Sequence, residues 1–534
     1  MVGPTQPVYL GIELGSTRIK ACAVLADGRS VASGSSEWEN KLVDGHWSYS
    51  LEEVWAGIQA AYSDLAVHYE EKTGHRPTSF AAMGVSAMMH GYLAFDSDGE
   101  LLVPFRTWRD TYTGQAAKQL TDLFGRNVPL RWSIAHFFQA VLDNEEHVGD
   151  VAYLTTLAGY VHWKLTGEQV LGIGDAAGMF PVDSATGDYE AEMCTAFDAV
   201  AAESATVKPI KTLLPRVLRA GQQAGTLSAA GAALLDPSGD LHPGVPFCPP
   251  EGDAGTGMVA TNAVRSRTGN VSVGTSIFAM VVLDKLSPEV HPEIDPVATP
   301  DGSPVAMVHC NNGTNELSAW MDLFAQVAVA FGAKQIDNMD DVYRVLLTEA
   351  LAGDSDAGGL VAYNYLSGEP ITGLAEGRPM VARGPQSSLS ISNFLRAQVY
   401  AAFATLELGM RILRQDGVDI DVLYAHGGLF RTKGVGQRLL SAALDTPVGV
   451  APSAAEGGSW GIALLARYLD SGAERPLADF LDEEIFPETD PEIVRPHQTD
   501  VRGFREFLTR YEKGLDLQRA AVAAIPLETG VPEA

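Results

Sequence analysis

The residue whose type and setting most directly suggest chemistry is Asp253, in the small-residue segment EGDAGTG at 251–257. An aspartate at the start of a helix is often only an N-cap, because its carboxylate accepts backbone N–H groups. The alternative is a carboxylate in a pocket, where neighbouring glycines admit a substrate. The Pro- and Gly-rich residues 237–255 predict a domain junction here, and pockets prefer such junctions. We therefore favour the second interpretation.

Two short turns offer a place for an anion. Gly15-Ser16-Thr17 and Gly274-Thr275-Ser276 each stand between two predicted strands. Such a turn points consecutive amides and hydroxyls at one spot, and glycine lets a phosphate approach the backbone. Either turn alone is more typical of a plain hairpin. As a pair in equivalent places of two half-chains, they predict a phosphate site clamped from both sides. The familiar patterns GxxxxGK[ST] and strand-GxGxxG-helix are missing from the sequence.

The elements that must position these residues occur twice. Strands are predicted over 8–13 and 19–25 around the first turn, and residues 269–285 have the same outline of strand, turn and strand. An internal duplication of one α/β domain would give this layout. Further predicted strands are 29–36, 80–86, 421–425 and 447–450, and predicted helices are 51–72, 111–123, 133–146, 157–165, 315–331, 388–415, 431–444, 455–470 and 500–517.

The bulk properties narrow the class of protein. The chain has 534 residues, with 67 acidic and 37 basic side chains and a formal net charge of −30. Such a surface repels nucleic acid and anionic membranes, so we expect neither as a partner. Neither a signal peptide nor an apolar run of about 18 residues is found in the sequence. The four cysteines lack metal-ligand spacing, and we expect reduced core thiols in a cytoplasmic protein.

A series of segments, in the same order, resembles the FGGY carbohydrate kinases. The likeness runs from about residue 8 to about residue 515 and is nearest to the xylulokinase branch. Each motif alone is weak, but the ordered set is specific. The segments are GIELGSTRIK (11–20), MHG (89–91), WRDTYT (108–113), KLTGE (164–168), DAAG (175–178), EGDAGTG (251–257), VSVGTS (271–276), GGLVAYNYLSGEP (358–370), AHGGLF (425–430) and EGGSWGIALLA (456–466).

The resemblance implies an ATP-dependent sugar kinase that uses Mg²⁺. Asp253 matches the catalytic base, and Glu13 matches the metal-linked position of the first phosphate motif. The two turns match the two phosphate loops, and Gly427-Gly428 matches the adenosine motif. The implied nucleotide-binding residues are Gly15, Ser16, Thr17, Gly274, Thr275, Ser276, Gly427 and Gly428, and the implied metal-binding residues are Glu13 and Asp253.

The sugar is implied by a second group of residues. Met89, His90 and Asp110 match the sugar-contact positions of the xylulokinase branch. Trp108 beside them is equally typical of packing and of a pocket wall. Arg109 replaces the Asn of that branch and offers a positive fork to hydroxyls or to a carboxylate.

Other positions also depart from the family pattern. Glu13 replaces Asp, Ser16 replaces Thr, Met88 replaces Gln, and Glu251 replaces a glycine before Asp253. We rank D-xylulose first as the substrate, L-xylulose or L-ribulose second, and gluconate third.

The resemblance also implies the fold: two ribonuclease-H-like α/β domains of the actin-like ATPase type with a cleft between them. The first is expected over 1–250 with the sugar side, and the second over 251–534 with the adenosine side. A homodimer is left open. A non-catalytic sensor of sugar or nucleotide and an actin-type or chaperone-type ATPase are the alternatives. Retention of Asp253 argues against the sensor, and the MHG and WRD segments argue against the ATPase.

Overall fold

The computed structural model describes residues 6–110, 112–203, 206–333, 338–450, 457–487 and 492–526. The chain forms two compact units, each built from three stretches. The domain limits expected at residue 250 stay a prediction. Unit 1 comprises Met1–Ser266, Val282–Val305 and Glu456–Glu488, and unit 2 comprises Arg267–Val281, Ala306–Ala455 and Thr489–Ala534.

Unit 1 is built on a mixed sheet of five strands within the described residues. The order is Glu251–Gly252, Ala82–Ala87, Val8–Leu14, Arg18–Leu25 and Ser30–Glu37. The last three strands form an antiparallel meander, and the first two run parallel to the third. The strands over 8–13, 19–25, 29–36 and 80–86 are thus confirmed with small changes at their ends.

A long helix, Leu51–Thr73, covers one face of this sheet and confirms the helix predicted over 51–72. Ser50 caps its start by accepting the N–H of Glu53, and Gly74 ends it in the left-handed conformation. A Cβ at Gly34 would lie 2.2 Å from the carbonyl oxygen of Ala61, so glycine lets the helix approach its strand.

Unit 1 also contains shorter strands and further helices. Its other strands are Lys41–Val43, His46–Ser48, Leu93–Phe95, Tyr153–Thr155, Val170–Gly172, Val182–Asp183, Asp188–Tyr189, Arg216–Leu218 and Ile294–Ala298. Its other helices are Gly114–Phe124, Ser133–Leu142, Glu146–Asp150, Leu157–Thr166, Ile173–Ala176, Ala191–Ala201, Ile210–Leu213, Ala229–Leu235, Asp253–Ala260, Gly457–Asp470, Leu477–Phe480 and Leu481–Ile485.

Unit 2 is built on a second mixed sheet, in which Thr268–Val273 and Ile277–Val282 form a hairpin and Val422–Gly427 runs parallel to the first of them. The other strands of unit 2 are Pro304–Cys310, Leu360–Tyr363, Met380–Arg383, Val448–Val450 and Glu492–Val494. Its helices are Asn315–Ala330, Met339–Ala350, Ala357–Gly359, Pro370–Thr372, Ile391–Gln415, Gly428–Arg431, Val435–Leu444, Gln498–Lys513 and Leu515–Ala524.

Several predicted helices differ from the structure at their ends. The helix predicted over 431–444 begins at Val435, and the helix predicted over 500–517 ends at Lys513. The helix predicted over 133–146 ends at Leu142, because Asn144 adopts a left-handed backbone with φ of 54°. The helix predicted from residue 111 begins at Gly114, and residue 111 itself lies outside the described residues. Among the described residues, no helix combines the length and apolar character that a bilayer crossing demands. All four cysteine side chains are buried.

Candidate active site

Three neighbouring parallel strands of unit 1 end at one edge of the sheet. Glu13 pairs in register with Ser86, and Ser86 pairs with Glu251 on its other side. Parallel strands bring the residues that follow them to the same edge of a sheet. Asp253 begins the helix Asp253–Ala260 directly after the strand that carries Glu251. Glu13 and Asp253, both predicted from the sequence, therefore lie at one edge of one sheet.

The carboxylate of Glu13 is held by the start of the helix Gly457–Asp470. The backbone N–H of Ser459 donates to Glu13 Oε2 at 3.1 Å. A Cβ at Gly458 would lie 2.4 Å from Glu13 Oε1, so glycine leaves room for this carboxylate. Burial raises the pKa of Glu13, while the charge of Lys20 and the helix amides oppose that rise. A helix N-terminus is a favourable place for negative charge.

Asp253 meets the sugar-side segment through the backbone. Its Oδ1 accepts the N–H of Met89 at 3.2 Å. Burial and, second, the negative charge of Glu13 raise the pKa of Asp253 to about 7. A carboxylate with such a pKa is suited to accept a proton near neutral pH. The hydroxyls of Thr256 and Ser86 lie 2.9 Å apart and tie the start of the Asp253 helix to the sheet.

Met89, His90 and Gly91 form a tight bend after the strand Ala82–Ala87. His90 and Gly91 have φ of 69° and 87°, a left-handed backbone that is unusual for a histidine. The Nδ1 atom of His90 donates to the carbonyl oxygen of Gly178 at 3.2 Å. A Cβ at Gly178 would lie 2.6 Å from that nitrogen, which explains the glycine of the DAAG segment.

Asp110 has one buried carboxylate oxygen that accepts no hydrogen bond from the described residues. Its Oδ1 accepts the N–H of Trp47 at 3.3 Å and lies 3.6 Å from Nδ1 of His46. Its Oδ2 is buried and has no hydrogen-bond partner among the described residues. Burial raises the pKa of Asp110, against the effects of Trp47 and His46. Because an unpaired buried acceptor is costly, a ligand that donates a hydroxyl hydrogen would stabilise this arrangement.

The two neighbours of Asp110 in the chain have other contacts. Trp108 is partly buried and packs against the hydrophobic core of unit 1. The guanidinium of Arg109 lies over the ring of Trp47, 4.3 Å from its centroid, and donates to Asn40 Oδ1 at 3.4 Å. The roles predicted for these two residues in substrate binding stay predictions.

The first Gly-hydroxyl turn is exposed at Ser16 and Thr17 and supported from behind by aromatic side chains. The N–H of Gly15 closes the turn on the carbonyl of Arg18 at 3.0 Å. The carbonyl of Gly15 accepts from Trp38 Nε1 at 2.7 Å, and that of Ser16 accepts from the hydroxyl of Tyr49 at 2.6 Å. The two rings stack with centroids 4.1 Å apart.

The second turn, in unit 2, is supported by another loop. The N–H of Gly274 closes the turn on Ser276 at 3.0 Å. The N–H of Gly313 donates to the carbonyl of Thr275 at 2.7 Å, and the N–H of Thr314 donates to the carbonyl of Gly274 at 2.9 Å. Gly274 and Thr275 remain exposed.

Gly427, in the predicted adenosine motif, pairs with Val273 directly before the second turn. A Cβ at Gly427, whose φ is 118°, would lie 2.0 Å from the carbonyl oxygen of Val273. Gly427 and Gly428 are both exposed. Unit 2 thus brings the second turn and the Gly427-Gly428 pair to adjacent strand ends.

Several contacts at this site were not predicted from the sequence. Trp38 packs in the hydrophobic core of unit 1, and its indole N–H also supports the first turn. Asp175 is fully buried, and burial raises its pKa to about 7 with a further rise from the charge of Asp253. Asp175 belongs to the DAAG segment, which is one of the ordered motifs in the sequence. The motif indicated the family but not which groups the Asp175 side chain contacts.

Each unit carries a mixed sheet and a Gly-hydroxyl turn, and unit 1 adds the carboxylates of Glu13 and Asp253, an arrangement that suits phosphoryl transfer on an actin-like ATPase fold. The N-terminal domain model of the FGGY family of carbohydrate kinases matches residues 8–259, and the C-terminal domain model matches residues 269–469. The chain belongs to the FGGY family of carbohydrate kinases and is an ATP-dependent carbohydrate kinase. The family, fold class and enzyme class expected from the sequence are confirmed.

Individual kinases of known structure or sequence are similar to this chain over nearly its whole length. The xylulose kinase of Haemophilus influenzae is 20% identical over 518 residues, which cover 94% of this chain and 98% of that protein. A xylulose kinase from Lactobacillus acidophilus has a similar structure, with a TM-score of 0.76, 18% identity and coverage of 97% of this chain and 99% of the other. A gluconate kinase from the same organism also has a similar structure, with a TM-score of 0.76 and 19% identity. The match covers 98% of this chain and 99% of that protein. These structural likenesses show the fold alone.

Proposed function

We propose that this kinase transfers the γ-phosphoryl group of ATP to a terminal hydroxyl of a ketopentose, with D-xylulose as the favoured substrate and Asp253 as the general base. The observation that carries the assignment of the base is the setting of Asp253. Its carboxylate stands at the sheet edge beside Glu13, has a pKa raised to about 7, and accepts the N–H of Met89 in the predicted sugar-contact segment.

The chemistry asks little covalent work of the protein, because phosphoryl transfer is mostly positioning and electrostatics. Asp253 accepts the proton of the attacking hydroxyl as the oxygen–phosphorus bond forms and the bond to the leaving ADP oxygen breaks. Ser16 and Thr17 of the first turn supply hydroxyl and amide donors for phosphate oxygens. General-base assistance of this kind contributes about 10²–10⁴-fold to the rate.

The donor set at the sheet edge fits Mg²⁺. Glu13 and Asp253 offer carboxylate oxygens, the hard ligands that Mg²⁺ prefers. The two carboxylates repel each other, and the negative charge of Glu13 contributes to the raised pKa of Asp253. A bound cation would relieve that repulsion. Bound Mg²⁺ would neutralise phosphate charge there. The Ser459 amide and Gly458 hold the Glu13 carboxylate in place for that role.

The choice of a ketopentose rests on Asp110 and on relatives. The buried Asp110 Oδ2 without a partner among the described residues can accept a sugar hydroxyl. The relatives named above that align over the whole chain include xylulose kinases. L-Xylulose and L-ribulose are the second choice. Gluconate is third, because Arg109, its expected carboxylate partner, is engaged by Trp47 and Asn40.

A substrate panel tests the sugar. ADP release is measured with D-xylulose, L-xylulose, L-ribulose, gluconate and glycerol at equal concentration. We expect the ketopentoses to be turned over fastest and Asp110→Ala to reduce that turnover. Turnover of glycerol alone, or ketopentose turnover unchanged in both His90→Ala and Asp110→Ala, would contradict the sugar site. The absence of sugar-dependent ADP release would instead favour the non-catalytic sensor.

Asp253→Asn tests the base. The amide keeps the shape but cannot accept the proton, so we expect kcat to fall by about 10²–10⁴-fold with sugar binding little changed. Asp98→Asn, on an exposed turn of the same unit, is the matched control. Near-wild-type activity of Asp253→Asn would remove it as the base. A cytoplasmic location stays a prediction from the sequence, and the homodimer stays open.

A further inference from the structure

Glu251 is a charged residue type in the interior of unit 1, where the family pattern has glycine. Its side chain is only 1% exposed. The carboxylate accepts the N–H of Gly174 at 3.4 Å and that of Asp175 at 2.9 Å. Glu251 lies on the strand that leads to Asp253, and its carboxylate is hydrogen-bonded to the first turn of the short helix Ile173–Ala176.

Two glycines make room for this carboxylate. A Cβ at Gly172 would lie 2.1 Å from Glu251 Oε1, and a Cβ at Gly174 would lie 2.5 Å from Oε2. Real Cβ atoms do not approach other atoms so closely, so any side chain at either position would displace Glu251. The Gly172 N–H also donates to the carbonyl of Pro250 at 2.8 Å. Residues 172, 174 and 251 form one fitted set, although they lie far apart in the sequence.

The segment 173–178, whose first turn is hydrogen-bonded to Glu251, carries at its other end the carbonyl that His90 contacts. The N–H of Ala177 donates to the carbonyl of Ile173 at 3.0 Å, and the N–H of Gly178 donates to that of Asp175 at 2.9 Å. These bonds make residues 173–178 one compact piece. Its last carbonyl, on Gly178, accepts from Nδ1 of His90. Since a carbonyl only accepts, Nδ1 of His90 carries a proton in this contact, and Nε2 is an acceptor when the imidazole is neutral.

We propose that Glu251 is a positioning residue for sugar recognition, which acts through residues 173–178 and Gly178 on the orientation and tautomer of His90. This rests on the proposed function, in which His90 contacts the sugar. Glu251 does not touch the reacting atoms. It fixes the place of the Gly178 carbonyl, and the carbonyl fixes which imidazole nitrogen accepts a sugar hydroxyl.

Glu251→Gln is the test. Both oxygens of Glu251 accept N–H groups, and the amide of glutamine replaces one acceptor with a donor. We expect KM for the best sugar of the panel to rise roughly 10-fold, with kcat and KM for ATP within about twofold. Glu407→Gln removes another buried carboxylate, in unit 2, and is the control for a general loss of stability. We expect it to leave KM for the sugar unchanged.

Two further readouts separate positioning from mere packing. In the double variant with His90→Ala, Glu251→Gln should add less than twofold to KM for the sugar, because residues that act through one another are not additive. In the sugar-free protein, ¹⁵N NMR of labelled histidines should show Nδ1–H for His90 in the wild type and a loss of that tautomer in Glu251→Gln. The His90 signal is assigned by its disappearance in His90→Gln.

The NMR readout needs no substrate, so it distinguishes failure of this inference from failure of the proposed function. An unchanged His90 tautomer, an equal rise in KM for ATP, or full additivity with His90→Ala would each overturn the role of Glu251. If Glu251→Gln does not fold, the same readouts are taken on Glu251→Asp, which keeps a carboxyl group but withdraws it by one methylene. An unchanged sugar KM and tautomer there would also overturn it.

Discussion

The two Gly-hydroxyl turns present the same kind of outer surface but are supported by different means. In unit 1 the carbonyls of Gly15 and Ser16 rest on two stacked aromatic side chains, Trp38 and Tyr49. In unit 2 the equivalent carbonyls, of Gly274 and Thr275, rest on backbone N–H groups of the loop 313–314.

The residues that precede the two turns differ as well. Glu13 stands two residues before Gly15, and Ser272 stands two residues before Gly274. Unit 1 therefore places a carboxylate beside its turn, while unit 2 places a hydroxyl. In the proposed function both turns hold phosphate, and the comparison assigns the acid chemistry to unit 1.

Among the tests of this comparison, the largest expected effect concerns the carboxylate of Glu13. Glu13→Ala should lower kcat by roughly 10–100-fold, the range typical of residues that orient a metal or its ligands. Glu13→Asp should lose far less, since it keeps the carboxylate. Ser272→Ala is the matched change at the second turn and should have little effect. Rates are measured over a range of Mg²⁺ concentrations, and equal rates for the wild type and Glu13→Ala would break the comparison.

The aromatic support of the first turn gives the next effect. Tyr49→Phe removes only the hydroxyl that donates to Ser16, and we expect KM for ATP to rise up to about 10-fold, as for loss of one hydrogen bond. Tyr62→Phe is the control, because the buried Tyr62 hydroxyl has no hydrogen-bond partner among the described residues. Equal KM values for the two variants would show that the turn does not need this support.

The second turn is supported by backbone N–H groups of the loop 313–314, which a side-chain substitution does not remove. The side chain to test is therefore Asn312, which holds that loop in place. The Asn312 side chain accepts from the N–H groups of Leu366 and Ser367 and donates to Glu369. Asn312→Ala removes a hydrogen-bond donor from the buried carboxylate of Glu369 and the acceptor of these two N–H groups, and it should lower the free energy of unfolding by about 1–3 kcal/mol. Asn311→Ala, at an exposed neighbour, should cost less. Denaturant unfolding measures both, and a larger loss for Asn311→Ala would be evidence against this support.

A further effect is the pH dependence of stability in unit 1. The pKa of Asp253 is raised by burial from 3.8 to about 7, so the folded protein binds this proton more tightly than the unfolded chain does. The corresponding stability is fully present below pH 3.8 and is lost as pH rises through 7. Relative to the wild type, Asp253→Asn should therefore gain Tm between pH 4 and pH 8, measured without Mg²⁺. Asp98→Asn should show no such gain, and a constant Tm difference for Asp253→Asn would refute the raised pKa.

Local patterns were sufficient for the positions of many elements. Alternation and turn residues predicted the strands around both turns, and helical periodicity predicted Leu51–Thr73 nearly to its ends. The end of the helix Ser133–Leu142 was missed, although Asn144 is of a residue type that readily adopts the left-handed backbone found there. Asp253 at a helix start was also predicted, since small residues after an acid are a local feature.

The sequence by itself determined the two turns, the acid at the start of the Asp253 helix, and the ordered motifs that indicate an FGGY kinase. Only the tertiary structure decided what those residues touch. Ser459 meets Glu13 from 446 positions away, and Glu251 reaches the amides of Gly174 and Asp175 across 77 and 76 positions. The physical reason is that turns and helix starts are set by neighbours along the chain, whereas the pairing of buried charge depends on which distant backbone amides the fold brings within hydrogen-bond distance.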